Sequence, residues 1–124
     1  MDDTPTGQTL DAILKQLLAA IPEVKSTAIV SVEGLPIASA LPQGVDETRI
    51  AAMTAAILSL GERAAHEMGK GELEQIMVKG SDGYLLVLAA GPNAVLVVST
   101  TPDVRLGLIF LDCKRTTEKI AKLI

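Results

Sequence analysis

The side chains most often used in catalysis and metal binding are scarce in this sequence. It contains one histidine, His66, and one cysteine, Cys113, so no cluster of these two residue types is available to hold zinc. Cys113 falls on the apolar stripe of the last predicted helix, which favours a buried thiol over a nucleophile. His66 follows Glu62 by one helical turn and precedes Lys70 by another, which is typical of a solvated helical histidine. Because no set of nucleophile, base and orienting group can be assembled, we expect no catalytic residue, no metal site and no bound cofactor.

The glycines and carboxylates also lack the spacing of a phosphate-binding or acid–base site. The segment Gly69-Lys70-Gly71 precedes a strand instead of opening a helix, so we interpret it as the end of a helix and not as a phosphate-binding loop. Asp46 and Glu47 stand at a predicted helix N-terminus, where the macrodipole favours negative charge. The sequence therefore indicates a protein that acts by binding other molecules.

Composition narrows the class of partner. The chain has 124 residues, which fits one domain, and its net charge of −4 argues against nucleic-acid binding. Two aromatic side chains, Tyr84 and Phe110, cannot build a base-stacking platform or a groove for proline-rich peptides. One cysteine fits a reducing compartment, and the longest apolar run, residues 84–90, is too short to span a bilayer. We therefore expect a cytoplasmic protein with neither a nucleic-acid nor a membrane partner.

Hydrophobic periodicity predicts three helices and five strands in the order α-β-β-α-β-β-β-α. Residues 1–8 lack periodicity and are interpreted as a flexible leader before a domain at 9–124. The predicted helices run from the N-cap Thr9 to Pro22, from Asp46 to about Met68, and from the N-cap Thr101 to Ile124. The predicted strands cover 24–33, 36–41, 73–79, 84–90 and 94–99, and the last two are apolar on both faces, which is typical of central strands.

The second helix carries more apolar surface than one packing face requires. One stripe, predicted to pack on the sheet, consists of Ile50, Met53, Ile57, Leu60 and Ala64. A second stripe beside it consists of Ala51, Ala55, Leu58 and Ala65. We predict that this second stripe contacts the same helix of a second copy, so that Leu58→Asp gives a monomer. The alternative is that alanine is a good helix former that tolerates exposure.

Three segments together carry a family resemblance. They are Ala51–Arg63 with the sequence AAMTAAILSLGER, Gly71–Gly80 with GELEQIMVKG followed by Asp82-Gly83-Tyr84, and Leu106-Gly107-Leu108 before a basic stretch. In this order the chain resembles the Roadblock/dynein light chain family over residues 9–124, and among its members the bacterial MglB type.

The resemblance implies an α/β (α+β) sandwich of the roadblock/profilin-like kind. Its five-stranded antiparallel sheet would have the order 2-1-5-4-3, with the first and last helices on one face and the second helix on the other. It also implies a homodimer formed through the second helix and the third strand, which brings Gln75 and Met77 to the interface. Family members bind small Ras-like GTPases, and MglB-type members accelerate GTP hydrolysis by an MglA-type partner in cell-polarity signalling.

The expected function is therefore that of a non-catalytic, homodimeric regulator that promotes GTP hydrolysis by positioning the switch residues of the GTPase. The candidate contacts are polar residues of the second helix: Arg49, Ser59, Glu62, Arg63 and His66. Arginines that are solvated or salt-bridged (Arg49 with Asp46, Arg63 with Glu67) are favoured over an arginine finger. One alternative is a scaffold subunit that recruits proteins without affecting hydrolysis, as a homodimer or a hetero-oligomer. Another alternative is a profilin-like or metabolite-sensing domain. The scarcity of aromatic residues argues against the profilin-like version.

Overall fold

Eight elements, in the predicted order, make up the computed structural model, which describes the backbone of residues 6–124 and the side chains from Thr9 onward. The helices are α1 (Thr6–Ala20), α2 (Glu47–Glu67) and α3 (Leu106–Ala121). The strands are β1 (Val24–Ser31), β2 (Pro36–Ala40), β3 (Gln75–Gly80), β4 (Gly83–Ala89) and β5 (Ala94–Thr100). Helix α1 begins three residues before the predicted N-cap Thr9, so the proposed leader is helical from residue 6, and residues 1–5 lie outside the described part.

The strands form one antiparallel sheet in the order β2-β1-β5-β4-β3, as predicted. Strand β5 lies at its centre, where Val97 pairs with Ala28 of β1 on one side and with Val87 of β4 on the other. Strands β2 and β3 are the two edges. Pro36 at the start of β2 suits an edge, since proline cannot donate a ladder hydrogen bond.

Alternation along the central strands produces a core on each face of the sheet. Leu86, Leu96 and Val98 point toward α1 and α3, and they pack with buried residues of those helices such as Leu14 and Ile109. The intervening residues point toward α2 and form the second core cluster, namely Ala28, Val30, Val87, Val95 and Val97 with Ala51 and Leu58. Helices α1 and α3 therefore share one face of the sheet, and α2 covers the other.

The predicted start of α3 is wrong. The N-cap is Arg105, without a side-chain capping bond, and not Thr101. The Thr101 hydroxyl donates instead to the carboxylate of Asp103, which lowers the pKa of that carboxyl, and the Thr101 N–H donates to the Glu23 carbonyl at 2.9 Å. These bonds hold residues 101–103 in a turn, because a threonine hydroxyl that finds a nearby side chain no longer caps a helix.

The sequence also predicts a buried stripe along α3, formed by Leu106, Ile109, Phe110, Cys113, Thr117, Ile120 and Ile124, and its last position is wrong. Ile109, Cys113, Thr117 and Ile120 are buried as expected, but Ile124 is exposed. Helix α3 ends at Ala121, so the helical periodicity that would bring Ile124 back to the sheet no longer applies there.

Candidate partner-binding surfaces

Polar contacts fix the N-terminus of helix α2, and one of them joins it to the sheet. The Asp46 carboxylate accepts hydrogen bonds from the backbone N–H of Thr48 at 3.0 Å and of Arg49 at 3.4 Å, so it caps the helix, which begins there as predicted. The Ser39 hydroxyl of edge strand β2 donates to the Glu47 carboxylate at 2.7 Å. These contacts place the start of α2 over β2.

The face of α2 that meets the sheet is the second of the two predicted stripes, which corrects the sequence interpretation. Ala51 is fully buried and Leu58 is 8% exposed, both within the core cluster formed with β1, β4 and β5. Thr54 is buried between them, and its hydroxyl donates to the Ile50 carbonyl at 2.7 Å. Ala51 and Leu58, predicted at a dimer interface, are thus covered by the chain's own sheet.

The other predicted interface residues of α2 are half-buried. Ala55 faces Gly34 in the turn between β1 and β2, where an added Cβ would lie 3.1 Å from the Ala55 Cβ. Ala65 follows Leu58 by two turns on the same side of the helix and is half-buried as well. The alanine-rich stripe therefore serves the interior of one chain.

The close approach of α2 to the sheet explains why the alanine-rich stripe is the buried one. A Cβ placed on Gly61 would lie 2.9 Å from the Ile76 side chain and 3.2 Å from the Leu73 side chain, so a larger residue there would require these side chains to shift. Gly61 lies on the same side of the helix as Ala51, Thr54 and Leu58. The small residues of that side permit the short distance, and the longer side chains of the first stripe are directed away from the sheet. Gly61 was the sequence signal that could have identified the packed face.

The stripe predicted to pack on the sheet is in fact the exposed one. Met53 is 43% exposed, Leu60 is 66% exposed, Ala64 is exposed and Ile57 is half-buried. These four residues, spaced by four, three and four positions, line one flank of α2, and we call them the α2 stripe. An apolar stripe of this length on a small domain is typical of a protein-binding surface.

Edge strand β3 adds exposed apolar groups next to this helix. Ile76 contacts the Gly61 position of α2, and Val78, two residues along the same face, is exposed. Gln75 and Met77, predicted at the dimer interface, are exposed as well, but they pair with Leu88 and Leu86 and therefore point to the α1 and α3 side. The predicted interface residues of β3 and α2 thus lie on opposite faces of the sheet.

Four of the five candidate polar contacts are brought together. Ser59, Glu62, Arg63 and His66 line one shallow depression of about 420 Å³ beside Leu73. In it Arg63 lies 3.7 Å from Glu67, as predicted, and His66 lies 3.8 Å from Glu72.

The fifth candidate, Arg49, lies apart from that depression. It is fourteen residues before Arg63, so the two are separated by about 21 Å along the helix. Arg49 is exposed, and its predicted ion pair with Asp46 does not form, since the Asp46 carboxylate caps the helix instead. Arg49 therefore does not share a site with the other four residues.

The described residues offer no cluster for metal chemistry. Among the side chains described from Thr9 onward, no three His, Cys, Asp or Glu residues lie close enough to hold a metal ion. Burial, with a smaller contribution from Asp112, raises the pKa of the Cys113 thiol to about 12, which leaves almost no thiolate at neutral pH. In the described part of the chain, no helix is long and apolar enough to cross a membrane.

Comparison with known proteins agrees with this architecture. Residues 10–100 match the Roadblock/LC7 domain. An uncharacterized protein of Methanocaldococcus jannaschii is 44% identical over 97 residues, which cover 78% of this chain and 84% of that protein. MglB of Myxococcus xanthus superposes with a TM-score of 0.88 at 25% identity, covering 100% of this chain and 96% of its own. A Roadblock/LC7 domain of Streptomyces avermitilis superposes with a TM-score of 0.85 at 20% identity, covering 90% and 94%, and shows the shared fold.

The strand order, the placement of the helices on the two faces, and the match over residues 10–100 all lead to one assignment. The chain belongs to the Roadblock/LC7 family.

Proposed function

We propose that this chain forms a homodimer that binds a small Ras-like GTPase and promotes its GTP hydrolysis by positioning the switch residues. The observation that carries the proposal is the uncovered α2 stripe beside an open sheet edge, in a domain that matches the fold of MglB over its whole length. The choice of a GTPase as the partner rests on the family resemblance.

The proposed dimer interface consists of the α2 stripe and the edge strand β3. Two copies related by a two-fold axis would cover Leu60 and Met53 with the same residues of the partner, as a self-complementary surface requires. The unpaired backbone groups of β3 would pair with those of the second β3, which removes an exposed sheet edge. Helix α2 has 21 residues and is about 30 Å long, a length suited to an extended contact.

The proposed GTPase contact is the polar side of α2, which the dimer interface leaves free. Ser59, Glu62, Arg63 and His66 already share one depression there. Switch loops of a GTPase carry their own catalytic groups, so a partner that orders them accelerates hydrolysis without donating a residue. Arg63 is engaged by Glu67, which supports positioning over the insertion of an arginine.

Single-turnover GTP hydrolysis by a Ras-like GTPase from the same organism tests the proposal. We expect the rate to rise with added chain and to saturate at two chains per GTPase. The variants Arg49→Ala and Arg63→Ala separate the two mechanisms, because loss of an arginine finger lowers kcat by about 10³ to about 10⁵. Under the positioning mechanism each variant retains acceleration and only weakens binding.

Binding measured by calorimetry distinguishes the remaining outcomes. A GTPase that binds without a change in its hydrolysis rate would make the chain a scaffold, the alternative function. A GTPase that neither binds nor responds in either nucleotide state would show the proposal to be wrong. The variant Leu111→Ser, on the opposite face of the sheet, is the matched control and should bind like the wild type.

A further inference from the structure

The outward side of α3 carries an ordered line of side chains that the proposed function does not use. Leu108 is 55% exposed, Leu111 is 47% exposed, and Arg115, Lys119 and Lys122 are exposed beyond them. Successive members are three or four residues apart, so all five lie along one ridge of the helix, about 21 Å long. We call this line the α3 ridge.

The cations of the ridge form no ion pair with any carboxylate in the part of the chain that the structure describes. Among the described residues, no carboxylate lies within 4.0 Å of the charged nitrogens of Arg115, Lys119 or Lys122, whereas Arg63 and His66 on the other face both have one. Asp112 and Glu118 belong to the same helix but form no ion pair with the ridge. The positive charge of α3 is therefore available to something outside the chain.

Charge is distributed unequally between the two faces of the sheet. Residues 105–122 contain five cations and two acids, a net charge of +3 in a chain of net charge −4. Residues 46–72, which include α2, contain five acids and three cations, a net charge of −2. Such a separation orients a protein on a negatively charged surface with α3 toward that surface and α2 away from it.

We propose that the α3 ridge docks the protein on an anionic lipid surface. The two exposed leucines would enter the boundary between headgroups and acyl chains, and the three cations would contact lipid phosphates. Between α1 and α3, Arg115 and Lys119 line a shallow groove of about 220 Å³ together with Gln16 and Asp112. Peripheral docking of this kind needs no membrane-spanning helix, and it departs from the expectation of no membrane partner, which rested on the shortness of the apolar runs.

The neighbouring helix favours a flat lipid surface over a partner helix. The outer side of α1 exposes Ala12, Lys15, Gln16 and Ala19. None of these residues is a bulky apolar group against which a partner helix would pack. These small residues leave the ridge accessible to a flat surface, and the charge of Lys15 is offset by the exposed Asp11 of the same helix. Docking through α3 uses the face opposite α2, so it is independent of the proposed dimer and of the GTPase.

Co-sedimentation with vesicles tests this proposal on the protein alone. The probes are vesicles of phosphatidylcholine with phosphatidylglycerol, and vesicles of phosphatidylcholine only. We expect partitioning onto the anionic vesicles that weakens with added salt, and little onto the neutral ones. The triple variant Arg115→Gln, Lys119→Gln, Lys122→Gln should lower partitioning about a hundredfold, since each cation near an anionic leaflet contributes roughly a fivefold factor.

A triple variant on the opposite face is the matched control. Arg49→Gln, Arg63→Gln, Lys70→Gln removes the same amount of charge from exposed positions and should change partitioning by no more than a few fold. The double variant Leu108→Ser, Leu111→Ser should also reduce binding, which bulk charge attraction alone does not predict. Circular dichroism checks that each variant is folded.

The outcomes that would overturn the proposal are specific. They are a wild-type chain that stays in solution with anionic vesicles, equal losses in the two triple variants, or equal binding to neutral and anionic vesicles. A ridge variant that keeps vesicle binding but loses a protein partner would assign the ridge to that protein instead. None of these results depends on dimer formation or on GTP hydrolysis.

Discussion

Two leucines of α2, separated by one residue, should respond differently to the same substitution. Leu58 is 8% exposed and packs on the sheet, whereas Leu60 is 66% exposed on the α2 stripe. Leu58→Asp places a charge in the core, so it should unfold the chain instead of giving the folded monomer expected from the sequence. Leu60→Asp should leave the fold intact and weaken the dimer.

The size of each effect follows from burial. Full burial of a leucine contributes about 1.5 to about 3 kcal/mol, so covering the exposed two-thirds of Leu60 contributes about 1 to about 2 kcal/mol per copy. A symmetric dimer contains two copies, and the dissociation constant should rise about 30-fold to about 1,000-fold. Leu58→Asp should lower the free energy of unfolding by at least about 3 kcal/mol, comparable with the loss of a buried leucine.

Light scattering coupled to size-exclusion chromatography measures the dimer, and urea unfolding measures the fold. Ser59→Asp, between the two leucines and on the polar side of α2, is the control that should change neither. A Leu60→Asp protein that remains dimeric at micromolar concentration would refute the assignment of the α2 stripe to the interface. A folded Leu58→Asp monomer would refute the face assignment of the helix itself.

Three further substitutions test the interior of the domain. Thr27→Val should raise the free energy of unfolding, measured by urea titration, by about 1 kcal/mol. The reason is that the buried Thr27 hydroxyl has no hydrogen-bond partner among the described residues. A loss of stability would mean that the hydroxyl does have a partner. Gly83→Ala should give little folded protein by circular dichroism, because Gly83 has a φ of +147° and a Cβ there would lie 1.9 Å from the Thr100 carbonyl oxygen. Burial raises the pKa of Cys113 from 9.0 to about 12, so the unfolded chain loses the thiol proton first. Stability should therefore fall above pH 9 by up to about 1.4 kcal/mol per pH unit until about pH 12, and Cys113→Ala should remove that part of the slope; equal slopes would contradict the burial of a protonated thiol.

The order of elements could be predicted because its signals are local. Helical and strand periodicities need only a short window of residues, so all eight elements were expected in the observed order. The strands at 84–90 and 94–99 were expected at the centre of the sheet because they are apolar on both faces, and β4 and β5 have neighbours on both sides. Two helix starts failed: α1 begins at Thr6 and so includes Thr9, and the Thr101 hydroxyl donates to Asp103 instead of capping α3.

The sequence predicted which helix carries the candidate site, but not which side of that helix faces outward. Sequence periodicity identified α2 as a helix with two apolar stripes, one for the sheet and one in excess, but it exchanged their roles. Gln75 and Met77 were expected beside that helix, yet the register of β3 with β4 turns them to the opposite face. A shift of one residue in a strand reverses the face, so this outcome depends on pairing with β4 and not on β3 alone.

Residue types along the chain thus specify how much apolar surface each segment carries and with what period, since both are properties of neighbouring residues. The side of α2 that is buried depends on distances between segments far apart in the chain. Gly61 lets the side chains of Leu73 and Ile76 come close to the helix on the same side that carries the buried Ala51, Thr54 and Leu58. Met53 and Leu60, the larger hydrophobic residues, are left at the surface because the packed helix has no space for them beneath it.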